Sequence, residues 1–79
     1  MRAEDLSPGV AVADILRQAI TDENDSCAYY NRAAELVYSP WERDMFRALA
    51  EEELQHARRL EDLLANWETR EALNAALGS

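Results

Sequence analysis

From Val10 to Leu77 the chain contains one proline, Pro40, and no glycine. Proline removes a backbone donor and clashes with the preceding turn, while glycine weakens a helix by entropy, so a chain with one such interruption resolves into two long elements. Abundant Ala, Leu, Glu and Arg make those elements helices, and the expected fold is all-α. A chain of 79 residues forms a single domain, 1–79, with a modest core. Helical domains of that size gain stability by oligomerising or by binding metal.

Residues 1–7 are polar and expected to fray, and Ser7-Pro8 reads as a helix start, with serine as cap and proline at the first helical position. Helix 1 is predicted over about 8–37. Its small and apolar stripe is Val12, Leu16, Ile20, Cys27, Tyr30, Ala34 and Val37, and Glu23 falls on it between Ile20 and Cys27. The break is Tyr38-Ser39-Pro40-Trp41-Glu42, where Ser39 and Glu42 have capping-box spacing. Helix 2 is therefore predicted over about 40–67. Its stripe is Phe46, Leu49, Glu53, His56, Leu60, Leu63 and Trp67, alternating three- and four-residue steps that mark a seam against a partner helix. After Trp67 the pattern loosens, and 69–77 either continues the helix or restarts as a short third C-terminal helix.

Two helices joined by a short turn run antiparallel, so residues equally far from Tyr38 and Ser39 face each other. Glu23 lies 15 residues before Tyr38 and Glu53 lies 14 after Ser39. At about 1.5 Å per residue these distances agree to within one or two ångströms, and His56, one turn beyond Glu53, joins the same layer. Carboxylates between helices lose hydration that apolar neighbours do not replace. A divalent cation supplies the missing charge, and mixed carboxylate and imidazole ligation suits iron or manganese better than structural zinc. One hairpin offers three such side chains and cannot enclose an ion. A two-fold homodimer would supply four Glu and two His within a four-helix bundle, the ligand set of di-iron and di-manganese carboxylate proteins.

The formal charge of −8 attracts cations and disfavours nucleic acid or an anionic membrane as partner. A single cysteine, Cys27, excludes an intramolecular disulfide and a four-cysteine metal site within one chain. With no signal-like apolar segment at the start and no apolar run of spanning length, a cytoplasmic setting is expected.

Glu23, Glu53-Leu54-Gln55-His56, the 30-residue interval between the glutamates and the adjacent Tyr29-Tyr30 together resemble half of a ferritin-like bundle. The resemblance is to the half-ferritins and encapsulated ferritins of the rubrerythrin-related superfamily, and it covers about Ala19 to Trp67. It implies a ferroxidase that oxidises Fe(II) to Fe(III) at a di-iron centre between two subunits, for iron storage or detoxification. It further implies that Glu53 bridges the irons, that Glu23 and His56 are terminal ligands, and that an encapsulin shell is a partner, with higher homo-oligomers built from the dimer. The segment after Trp67 is shorter than the C-terminal region of encapsulated ferritins.

Each assignment has a plainer counterpart. A lone Glu-x-x-His is more often a surface charge pair, and seam position together with the Glu23 level reverses that judgement here. Glu51, Glu52 and Asp25 read as solvated face, with Glu52 the fallback ligand should helix 2 be rotated. Cys27 and Tyr30 read first as core, although Tyr30 is placed to bond a ligand or donate an electron. Two rival functions stand beside the ferroxidase. One is peroxide reduction in the manner of rubrerythrins, fed by an external reductant because the cysteines of a rubredoxin-type site are missing. The other is a metal-free dimerisation module whose acidic layer pairs with arginines.

Overall fold

The structure, a computed structural model, describes residues 11–78. Helix α1 spans Val12–Leu36 and helix α2 spans Pro40–Gly78, and they pack antiparallel as one hairpin. Ala11 is extended, with φ −71° and ψ 135°, and α1 starts at Val12. Ser7 and Pro8 lie outside the described residues. The turn falls where the Ser39-Pro40 pair predicts it, and the first bond of α2 runs from the Arg43 N–H to the Ser39 carbonyl at 3.0 Å.

Residues 69–77 form no separate third helix, because α2 runs 39 residues without a break. Thr69, where the apolar pattern loosens, donates its hydroxyl to the Ala65 carbonyl at 2.9 Å. That bond to the preceding turn keeps a β-branched residue inside the helix and occupies the group that would otherwise favour a turn.

The seam of α2 lies one row over from the predicted stripe. Ala50 and Ala57 are buried, at 2% and 1% exposure, while Leu63 is 44% exposed. The row Phe46, Ala50, Glu53, Ala57, Leu60, Leu64 and Trp67 is buried or half-buried throughout, and it keeps the alternating three- and four-residue steps. On α1 the buried residues are Ala13 and Ala34. Small side chains let two helix axes approach closely, so the alanines mark the closest contact and the larger residues flank it. Ala57 lies level with Ile20 and Ala50 with Cys27, each pair equidistant from the turn.

The hairpin measures 60 × 26 × 11 Å, with a radius of gyration of 17.1 Å. A compact domain of this length has a radius of about 12 Å, and a single helix with its side chains is about 10–12 Å thick. The protein is therefore one layer of helices. Among the described residues only four alanines are buried, and Val12, Tyr29, Leu36, Trp41, Met45 and Leu63 stay exposed. Stable domains bury an apolar stripe between two layers, and the described residues form one. No helix among the described residues is long and apolar enough to cross a membrane.

Candidate metal centre

The antiparallel register brings Glu23 of α1 beside Glu53 and His56 of α2. One ligand atom from each of the three lies within 4.8 Å of the others, the separation a single cation can span. Glu53 and His56 share a face of α2 because three residues make most of one turn, and Glu23 reaches them across the seam. His56 Nδ1 stands 3.5 Å from Glu23 Oε2. The contact is an ion-pair approach without hydrogen-bond geometry, since that same Oε2 is buried with no hydrogen-bond partner.

Their burial differs. Glu23 and Glu53 are half-buried in the seam, whereas the His56 side chain is 61% exposed and sits at the seam's edge. This corrects the placement of His56 within the seam: with Ala57 taking the closest-contact position, its neighbour turns outward to the flank. On that flank Leu49, His56 and Leu63 follow one another at seven-residue spacing, along one side of the hairpin. The imidazole therefore borders the face that lacks a second layer.

The electrostatics match an incomplete cation site. The carboxyl of Glu53 titrates above its ordinary range, first because its protonated form can hydrogen-bond Glu23, then because of desolvation and the charge of Glu23, with an opposing pull from His56 and a smaller push from Glu52. A cation bound by these side chains would displace the Glu53 proton, so Fe(II) binding, if it occurs here, should weaken as the pH falls through the raised Glu53 value.

A stability prediction follows from the same shift. The hairpin binds the Glu53 proton more tightly than the unfolded chain does, so this group's favourable contribution is complete below its unfolded range near 4.5 and is lost as the pH rises through its raised value. Glu53→Gln keeps the volume and removes that loss. In chelator, its thermal midpoint should exceed that of the unsubstituted protein at pH 7, and the gap should close toward pH 5. An equal gap at both values would rule out the raised Glu53 titration.

The residues read as solvated face are so. Glu51, Glu52 and Asp25 are exposed, and Glu51 accepts a long 3.5 Å bond from Gln55 within its own helix. Glu52, the fallback ligand, stays outside the trio and acts on it only through its charge. Tyr30 stacks on Phe46 across the seam, with centroids 6.5 Å apart and planes 17° apart, and Tyr29 meets Tyr30 edge-on at 5.6 Å. This aromatic layer closes the seam on the turn side of the acidic trio. Ala50 and Ala57 set the helix spacing that lets Glu23 reach Glu53, and a reading weighted toward large apolar residues passes over them.

Comparison with curated proteins and with solved structures returned no match. A family model described as Rubrerythrin matches residues 14–76, which take in nearly all of both helices and all three members of the trio. Proteins of that family are ferritin-like and typically bind iron. The helical hairpin, its Glu-x-x-His and the facing glutamate thus sit within a matched segment that covers most of the sequence, and the chain belongs to the rubrerythrin family.

Proposed function

We propose that the protein is a ferroxidase whose di-iron site forms between two copies of the chain, with Glu23, Glu53 and His56 of each copy as ligands. The observation that carries this reading is a buried carboxylate oxygen without a hydrogen-bond partner, Glu23 Oε2, beside a second carboxyl and an imidazole on the open side of a one-layer hairpin. An orphaned oxygen of this kind is costly unless a cation takes it, so the residues present fit a metal. Among the described residues no arginine is paired with the trio: the ion pairs of Arg17 and Arg32 go to Asp14, Glu68 and Glu35.

Bound iron supplies the redox chemistry, and the chain supplies position and charge. Glu53, whose carboxyl is held above its ordinary range, would give up its proton as iron binds and is the carboxylate that would be shared between the ions. Glu23 and His56 of each copy would be the terminal ligands. The −8 charge raises the local concentration of Fe(II), here the substrate, and manganese fits the same donor set. Storage of the oxidised product needs a compartment, which one layer of helices does not form, and an encapsulin shell is the partner proposed for that role.

Anaerobic Fe(II) titration followed by air exposure, with mass measured alongside, tests the reading. One iron per chain, a dimer mass and rapid appearance of Fe(III) absorbance are expected. Full helicity and a dimer mass in chelator, with no iron taken up, would leave the metal-free dimerisation module instead. The family match favours a second reading of the same site as a peroxide reductase. Turnover selective for peroxide over dioxygen, sustained only with an added reductant, identifies that alternative.

A further inference from the structure

At its turn the hairpin presents Tyr38 and Trp41 to solvent, 97% and 68% exposed, with Leu36 and Met45 exposed beside them. Large apolar side chains grouped on a surface in this way mark a contact site. The rest of the chain does not reach far enough to cover them. Residues 1–10 span at most about 36 Å when fully extended, whereas Tyr38 lies 27 positions beyond Ala11, roughly 40 Å away along α1. Helix α2 carries Gly78 to the far end. The turn end is also electrically neutral. Residues 30–47 hold three arginines, Arg32, Arg43 and Arg47, against Glu35, Glu42 and Asp44, so the whole formal charge of −8 lies elsewhere in the chain.

We propose that the turn end is the docking surface for the turn end of a second copy, with Tyr38 and Trp41 of each packed against those of the other. Among contacts between two chains of charge −8, this one brings no like-charged regions together. Each acidic layer stays about 21 Å from its own turn, so the two layers lie about 40 Å apart, several times the ~8 Å screening length at physiological salt. Aromatic side chains bury roughly 150–250 Å² each, and four of them, partly covered beforehand, give the contact about 500–800 Å² in total. That is below the ~1,200 Å² of a stable complex, so single hairpins join weakly and in proportion to their concentration.

The helix ends fix how the two tips meet. The last turn of α1 has no basic residue, so the partial negative charge of its carbonyl end is uncompensated, while the amide end of α2 beside it is partly positive. A two-fold axis normal to the plane of the hairpin sets each α1 end over the start of the other copy's α2, opposite against opposite. An axis within that plane would set like against like. The normal axis also leaves the Leu49, His56 and Leu63 row of both copies on the same side of the assembly, clear of the contact. The tip contact therefore does not compete with the two-copy iron site, and neither depends on the other.

Trp41 reports the contact directly. In Trp67→Phe protein kept in chelator, its emission should move to the blue as the concentration rises from about 10 μM to 1 mM, with association seen by sedimentation over the same range. Association should strengthen as NaCl rises from about 0.05 to 0.5 M, because screening relieves the repulsion between acidic bodies and leaves an apolar contact intact. Trp41→Glu should keep its helicity and associate at least about 10-fold more weakly. In a Cys27→Ser background, Tyr38→Cys should form a covalent dimer at least about 10-fold faster than Thr69→Cys, an exposed position far from the turn. Solvent-like Trp41 emission at every concentration, or undiminished association of Trp41→Glu, would overturn the proposal. A blue shift that appears only with zwitterionic vesicles would overturn it too, and would make the tip a membrane contact. Glu23→Ala in chelator should associate as the unsubstituted protein does. If it does not, the copies meet at the acidic layer and the tip contact is wrong.

Discussion

Glu23→Ala should abolish stoichiometric Fe(II) binding while leaving the hairpin helical. Among the described residues Glu23 is the one member of the proposed ligand set on α1, and its Oε2 is a buried oxygen with no hydrogen-bond partner. Loss of a group that merely supports a ligand costs roughly 10–100-fold in metal affinity, so loss of the ligand itself should exceed about 100-fold. Anaerobic titration would show it as a fall from one iron per chain to none at micromolar iron. Stability should move the other way in chelator, because removing one of two crowded carboxyls relieves the constraint that raises the Glu53 value. The substitution thus separates a ligand from a structural residue: a structural role predicts lower stability with or without iron, and a ligand role predicts lower stability only with it. Undiminished iron uptake by Glu23→Ala would remove the basis of the proposed site.

The second large effect is expected at Ala57, which is 1% exposed and lies one turn beyond Glu53 on the seam. Ala57→Leu adds three carbons where the helices approach most closely, and overpacking of this kind costs about 1–3 kcal/mol. At 4–8 °C per kcal/mol for a domain of this size, the thermal midpoint should fall by roughly 5–20 °C. The functional loss should be larger than the stability loss implies, because spreading the helices moves Glu23 away from Glu53, and ligand geometry tolerates little displacement. Ala28→Leu, at an exposed position of α1, serves as the control and should change neither property. Equal behaviour of the two variants would show that the alanine seam does not set the helix spacing.

These expectations depend on two kinds of information. The two helices, the turn at Ser39-Pro40 and the common level of Glu23 and Glu53 are properties of the sequence alone. Chain stiffness and equal counting from a single break determine them, and no packing detail can shift a residue along its helix by a whole turn. The family match over residues 14–76 belongs to the same level of description.

Rotation of α2 about its own axis was not legible in that way. Leu49, His56 and Leu63 satisfy seam spacing as well as Ala50, Ala57 and Leu64 do, and a pattern read by size favours the leucines. The structure places the alanines inside, since two helices settle where their smallest side chains let the axes approach, and a difference of one row turns His56 from seam to flank. Nor does the sequence decide whether α2 continues past Trp67; the helix runs unbroken to Gly78, with Thr69 bonded back to the Ala65 carbonyl. Sequence alone determined which side chains share a level, because position along a helix follows from counting. Only tertiary structure decided which of them face the neighbouring helix and which face the open side, because that depends on the close contact of particular atoms.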